Sequence, residues 1–262
     1  MGTQPLLKES TSVTRERVLA SLPWEDFQGL VNSLLKPGQG QSYSYELPQD
    51  TLIVHECVEY KAVHEIPLFN NLREEFTEIF SSLTPVLKAK DLQLYQHSVR
   101  VHRLALSFAT TILQLSEAES LKIGLAAFFH DIGKLNIQNA ILQKAAGLSR
   151  QEYEIIKNHP AYGAEILSHF KLINSVIPAL YHHHERVDGK GYPGGLRGNT
   201  IPLGARIIAI VDAFEVMTSH RNYQNSRTAL QAIEELYEHA GTQFDAELVT
   251  LFCKFLEKYP QM

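Results

Sequence analysis

The chain has no apolar run long enough to cross a bilayer, and its opening, MGTQPLLKES, lacks the hydrophobic stretch of a secretory signal. Cysteine is nearly absent. Cys57 and Cys253 form no C-x-x-C pair and read as free thiols of a reducing compartment, so a cytoplasmic protein is expected. Excess positive charge is missing too: 24 Lys and Arg face 29 Asp and Glu, for a net charge of -5. Wrapping a nucleic-acid polymer needs a broad basic face, so that class is excluded, while a small anionic ligand held by a few local cations is not. Repeats and low-complexity tracts are also lacking. What remains is an ordinary globular composition, 44% hydrophobic and 20% charged over 262 residues, enough for one large domain or a medium one plus a small one.

Histidine is what the sequence has in quantity. Twelve are present, and His97, His102, His130, His159, His169 and the run His182-His183-His184 fall in the middle of the chain. Two textures divide the sequence. Residues 1 to 85 are mixed: VTRERVLASL and WEDFQGLVNSLL have helical periodicity, LKPGQGQSYSYELPQD is turn-rich, and TLIVHECVEYKAVHEIPLF is strand-like. A small α/β unit is expected there. From residue 86 to 262 nearly every segment reads as helix. Ser116 with Glu119, and Ser149 with Glu152, have capping-box spacing. LGARIIAIVDAFEVMTS is apolar on most of its surface and should be buried, and Gly241 and Asp245 mark a helix stop and the next start. The stretch from 182 to 202 holds five glycines and two prolines, which forbid a helix and suit a ligand-binding rim.

Taken singly, a histidine in a helical domain is usually a surface or satisfied core residue. Asp212, inside IIAIVDAFEVM, is more telling, because a buried carboxylate needs a cation or strong donors. Together, His97, His130, Asp131, His159, His183, His184 and Asp212 each sit on or at the end of an expected buried helix. Five imidazoles and two carboxylates exceed one four-coordinate ion and suit two ions sharing a bridge. The lack of cysteine among them points away from a structural zinc knot and toward a catalytic metal.

The stretches YQHSVRV, HDIGK, HPAYGAEIL, HHERVDGKGYP and RIIAIVDAFEVMTSHRNY closely resemble the HD-GYP branch of the HD phosphohydrolase superfamily, with GTQFDAELV similar to its ending. The resemblance covers roughly residues 90 to 257. It implies a helical HD bundle and a cyclic di-GMP phosphodiesterase that opens the cyclic dinucleotide to linear pGpG, and it leaves open whether hydrolysis stops there or continues to GMP. By position it implies that His97, His130, Asp131 and Asp212 hold one divalent ion, that His159, His183 and His184 hold the second, and that Asp131 bridges. Iron or manganese is expected, with zinc and nickel as alternatives. Lys134 matches the family's contact to the scissile phosphate, and Arg186 and Arg221 match positions that bind phosphate or guanine. Tyr192, in the Gly-Tyr-Pro turn, packs structurally or stacks near substrate. Gln93 stands where some members carry a third-metal glutamate, so two ions are expected; Glu215 keeps the charge of an aspartate often found at its position. His55, His64, His102, His169, His182, His220 and His239 match no ligand position.

Two ions roughly 3.5–4 Å apart would yield a hydroxide near neutral pH and draw charge from the phosphoryl oxygens. Two rivals stand beside this reading. One is an HD hydrolase of another nucleotide; the other is a silent cyclic-dinucleotide-binding or protein-interaction module signalling through its N-terminal unit. That unit could also supply an edge for a homodimer.

Overall fold

The computed structural model describes residues 79–80, 83–144, 146–170, 174–219 and 226–260. Nearly all of the expected α/β unit therefore lies outside the described residues, as do His55, His64, His220 and Arg221.

Residues 83–90 are helical and lead into α1, Leu92–Thr111. Asp91 starts α1 by accepting from the backbone N–H groups of Gln93 (2.8 Å) and Leu94 (3.1 Å), two donors the helix itself leaves unpaired. Helix α2, Glu117–Phe129, opens on the reciprocal Ser116–Glu119 box that its sequence spells out. It ends at His130, and the chain tightens into a 3-10 turn, Ile132–Asn136. Short α3, Asn139–Leu142, precedes α4, Arg150–Lys157, which carries the second box at Ser149 and Glu152. Then follow α5, His159–Ser168, and α6, Ile177–Tyr181. The loop from 182 leads through a 3-10 turn, Gly198–Thr200, to α7, Leu203–Thr218. Helices α8, Ala229–Glu238, and α9, Ala246–Lys258, close the bundle. Gly241 between them has φ of +78°, a conformation glycine adopts without penalty, and Asp245 caps α9. Among the described residues there is no strand, only an isolated bridge between Ala240 and Phe244.

Helix α7 is the central element. It packs on α1, α2, α6, α8 and α9, burying Ile207, Ile208, Ile210, Val211 and Phe214. Two aromatic groups flank it. Phe80, Phe128 and Phe129 meet with centroids 4.8 to 5.3 Å apart, and Phe108, Phe252 and Phe255 lie within 5.8 Å of one another. Each such ring is worth about 1.5–3 kcal/mol of burial, and Phe128 and Phe129 immediately precede His130. The core therefore fixes the end of α2, and with it the start of the site. Among the described residues no helix is long and apolar enough to cross a membrane.

Candidate metal centre

Three of the histidines reach the site by one local device. His130, His159 and His183 each follow a helix end, where the last carbonyls have no helical partner. Each ring turns back so that Nδ1 meets the carbonyl three residues earlier: Ala127 at 2.7 Å, Ile156 at 2.8 Å and Leu180 at 2.5 Å. A carbonyl only accepts, so Nδ1 carries the proton and Nε2 presents a bare lone pair. His97, on α1, differs: its Nδ1 faces the Glu215 carboxylate and its Nε2 the Asp212 carboxylate, two acceptors that keep both ring nitrogens protonated in the metal-free protein.

The Nε2 atoms converge. His97 Nε2 lies 3.3 Å from His130 Nε2 and 3.1 Å from Asp212 Oδ1; His159 Nε2 lies 3.3 Å from His183 Nε2. Facing lone pairs repel unless an electrophile sits between them, and this spacing suits nitrogens about 2.1 Å from a shared cation. His97, His130 and Asp212 form one group with ligand atoms mutually within 4.8 Å, and His159, His183 and His184 form another. Asp131 stands between. Its Oδ1 is 3.2 Å from His159 Nε2, while Oδ2 is 3.4 Å from His130 Nε2 and 3.8 Å from His97 Nε2. All seven residues singled out in the sequence are thus brought together, and the donor set fits divalent metal.

On the His159, His183 and His184 side the protonation states suit ligation directly, whereas His97 must release a proton to ligate. Burial drives His159 down to about 4 and His184 to about 3, and it holds His183 well below the ordinary imidazole range, so all three are neutral at pH 7. Burial also opposes charge on His97, but hydrogen bonds to Asp212 and Glu215 outweigh it and raise that group to about 9. Asp131 is held well below the usual carboxylate range: burial opposes its charge, but Lys134 and His130 overcome that. Lys134 Nζ lies 2.6 Å from Asp131 Oδ2 with about a quarter of its side chain exposed. It belongs to the 3-10 turn after α2 rather than to the helix end.

One glycine is required by this geometry. A Cβ at Gly133 would lie 1.9 Å from the His159 carbonyl oxygen and 2.5 Å from Gly163 N, so only glycine lets the turn after Asp131 touch the start of α5.

A cavity of about 360 Å³ opens beside the cluster, lined by His183, His184 and Asp212 and by the loop residues Arg186, Lys190 and Tyr192. Tyr192 stacks on His184, centroids 4.8 Å apart and planes 27° apart. Arg186 lines the cavity while pairing with Asp188 (2.9 Å) and Gln243 (2.8 Å). Glu185 does something its sequence position did not suggest. Buried, it accepts from the backbone N–H groups of Gly194 (2.6 Å) and Leu196 (3.0 Å) and faces His182 Nδ1, tying the loop to its own start. Glu215 and Arg100, 2.5 Å apart, were likewise not legible as the support of His97. His102 lies away from the cluster, its Nδ1 2.7 Å from the Gly124 carbonyl. Gln93 is exposed on the first turn of α1.

Residues 81–248 match the HD domain family. A cyclic di-GMP phosphodiesterase of Pseudomonas aeruginosa is 37% identical over 66% of this chain and 42% of its own length. The 3'3'-cGAMP-specific phosphodiesterase 2 of Vibrio cholerae is 33% identical over 87% of this chain and 44% of that protein, and a cyclic di-GMP phosphodiesterase of Thermotoga maritima is 35% identical over 72% and 52%. The chain thus spans about half the length of these relatives or less. Among solved structures, an HDG"Y"P protein of Bdellovibrio bacteriovorus superposes with a TM-score of 0.57 at 18% identity, covering 88% of this chain and 78% of that one. That likeness is one of fold.

Proposed function

The chain belongs to the HD domain family, and from that premise we propose that it is a metal-dependent phosphodiesterase of cyclic dinucleotides, of the HD-GYP branch. Cyclic di-GMP is the leading substrate. The observation that carries the reading is the division of Asp131: one oxygen faces His159 and the other faces His130 and His97. His97, His130, Asp131 and Asp212 would hold one divalent ion and His159, His183 and His184 the other, with Asp131 shared. Iron or manganese suits the imidazole and carboxylate donors, and the lack of cysteine among them argues against a purely structural zinc site. Bound there, the pair of ions supplies a nucleophile from water at neutral pH and neutralises phosphoryl charge.

The chain's own groups do the rest. Three Nδ1–H donors anchored on backbone carbonyls fix the ring orientations before substrate arrives. Lys134 sets an ammonium against Asp131, where it can contact the scissile phosphate and offset charge on the leaving oxygen. Arg186 offers a planar fork to phosphate or guanine, at the cost of loosening its pair with Asp188. Arg221 has the same role in the proposal on the strength of its sequence position alone. Tyr192, stacked on His184, walls the cavity.

The likeness to a 3'3'-cGAMP-specific enzyme over 87% of the chain favours a second reading in which one base is adenine. Turnover of cyclic di-GMP and 3'3'-cGAMP by anaerobically iron- or manganese-loaded protein decides between them. Activity on either that disappears in Asp131→Ala supports the proposal; loaded protein that binds both and cleaves neither refutes it and favours the silent signalling module.

A further inference from the structure

Tyr153 projects from α4 into the cavity lining although half of the residue, 50%, is exposed. No ligand role attaches to it in the sequence, and its helix contributes no ligand atom to the metal cluster, only the Ile156 carbonyl that orients His159. Its surroundings are nonetheless built. Helix α4 is fixed at its start by the Ser149–Glu152 box and by Lys144, whose ammonium lies 2.6 Å from the Glu152 carboxylate. One turn on, Lys157 holds its ammonium 5.8 Å from the Tyr153 ring centroid and 5.3 Å from that of Tyr192, linking the two aromatic groups. Tyr192 already has one face against His184. Tyr153 is left as the aromatic surface of the cavity with open area.

We propose that Tyr153, steadied by Lys157, is a stacking platform for one purine base of the cyclic dinucleotide. The inference rests on the phosphodiesterase reading and extends it to a residue that binds base rather than phosphate. A cyclic dinucleotide carries flat bases outward from a phosphate ring. With a phosphodiester at the end lined by His183, His184 and Asp212, a base extends toward the cavity walls. Every base has a π-face, and stacking on an aromatic side chain is tolerant of which base it is. Lys157 adds positive charge where the ligand is anionic, and it is bound only loosely to Glu154, at 3.3 Å. The platform therefore supplies affinity for either purine, and discrimination between bases falls to the polar groups opposite, Arg186 and Gln243.

The test compares Tyr153→Ala and Tyr153→Phe in metal-loaded protein on cyclic di-GMP, on 3'3'-cGAMP and on methyl p-nitrophenyl phosphate, a phosphodiester with no purine. Removing the ring should raise KM for the cyclic dinucleotide about 10- to 100-fold, with metal content and turnover of the small ester unchanged; the phenylalanine variant should match wild type. A cyclic dinucleotide carrying 2-aminopurine gives a readout independent of turnover, because stacking quenches its emission, and Tyr153→Ala should restore most of it. Wild-type KM and quenching in Tyr153→Ala overturn the platform alone. Equal losses on the small ester overturn it too, since they indicate damage to the metal site. Wild-type protein active on the small ester but on neither cyclic dinucleotide overturns the cyclic-dinucleotide reading, and the platform with it.

Discussion

Replacing Gly133 with alanine places one methyl group where backbone already stands. The added carbon would lie 1.9 Å from the His159 carbonyl oxygen, and ordinary contact begins near 3.4 Å, so α5 has to retreat by about 1.5 Å. Neither obstructing atom belongs to a flexible side chain; both are backbone of the first turns of α5. His159 heads that helix, and its Nε2 lies 3.2 Å from Asp131 Oδ1. A retreat of that size withdraws one imidazole from the shared carboxylate. Overpacking costs about 1–3 kcal/mol, and misplacement of about 1 Å at a catalytic site can cost about 100-fold in rate. Gly147→Ala is the control, because a Cβ there meets nothing within 4 Å. Differential scanning calorimetry, elemental analysis and turnover of cyclic di-GMP together check the outcome. Gly133→Ala should melt several degrees lower, lose metal from the His159 side and fall at least 100-fold in kcat/KM. A Gly133→Ala protein with wild-type metal content and rate would refute the close approach as the device that sets the site.

Other perturbations act on the supports of the ligands. Glu215→Gln leaves an acceptor for His97 but removes the charge paired with Arg100; metal affinity, read by chelator competition, should weaken about 10- to 100-fold. Glu185→Ala releases the loop from the N–H groups of Gly194 and Leu196; it should cost about 2 kcal/mol in denaturant unfolding and raise KM more than it lowers kcat. Metal-free protein should be most stable near pH 6.5. Below that value the unfolded chain takes up protons that buried His159, His183 and His184 resist, at about 1.4 kcal/mol per pH unit for each. Above it, His97, raised to about 9, holds a proton that the unfolded chain has released, so stability falls as pH rises through about 9. A melting temperature that climbs steadily from pH 7 to 9 would contradict that assignment.

Much of the helical part could be read from sequence because its signals are local. Both capping boxes, the buried character of α7 and the Asp245 cap depend on residues within one or two turns of each other. The clustering of the seven candidate residues was legible for a different reason: a carboxylate inside an apolar helix needs a cation or strong donors, and five histidines beside two such carboxylates point to one shared site. The supports of the site were hidden because they act across long stretches of chain. Glu215 reaches His97 over 118 residues and Arg100 over 115, and Arg186 reaches Gln243 over 57. Glu185, next to Arg186 in sequence, turns its carboxylate to backbone N–H groups and leaves the guanidinium to Asp188. Tyr153 gave no signal, since an aromatic residue on an amphipathic helix ordinarily packs into the core. Nearly all of the α/β unit expected for residues 1 to 85, and Arg221 with the role expected of it, fall outside the described residues.

The most direct measurement is anomalous diffraction from crystals of manganese- or iron-loaded protein. Two peaks about 3.5–4 Å apart, one on the His97, His130 and Asp212 side and one on the His159, His183 and His184 side, with one Asp131 oxygen on each, is the expected result. A single peak, or two with Asp131 bound to only one, would contradict the shared-carboxylate site.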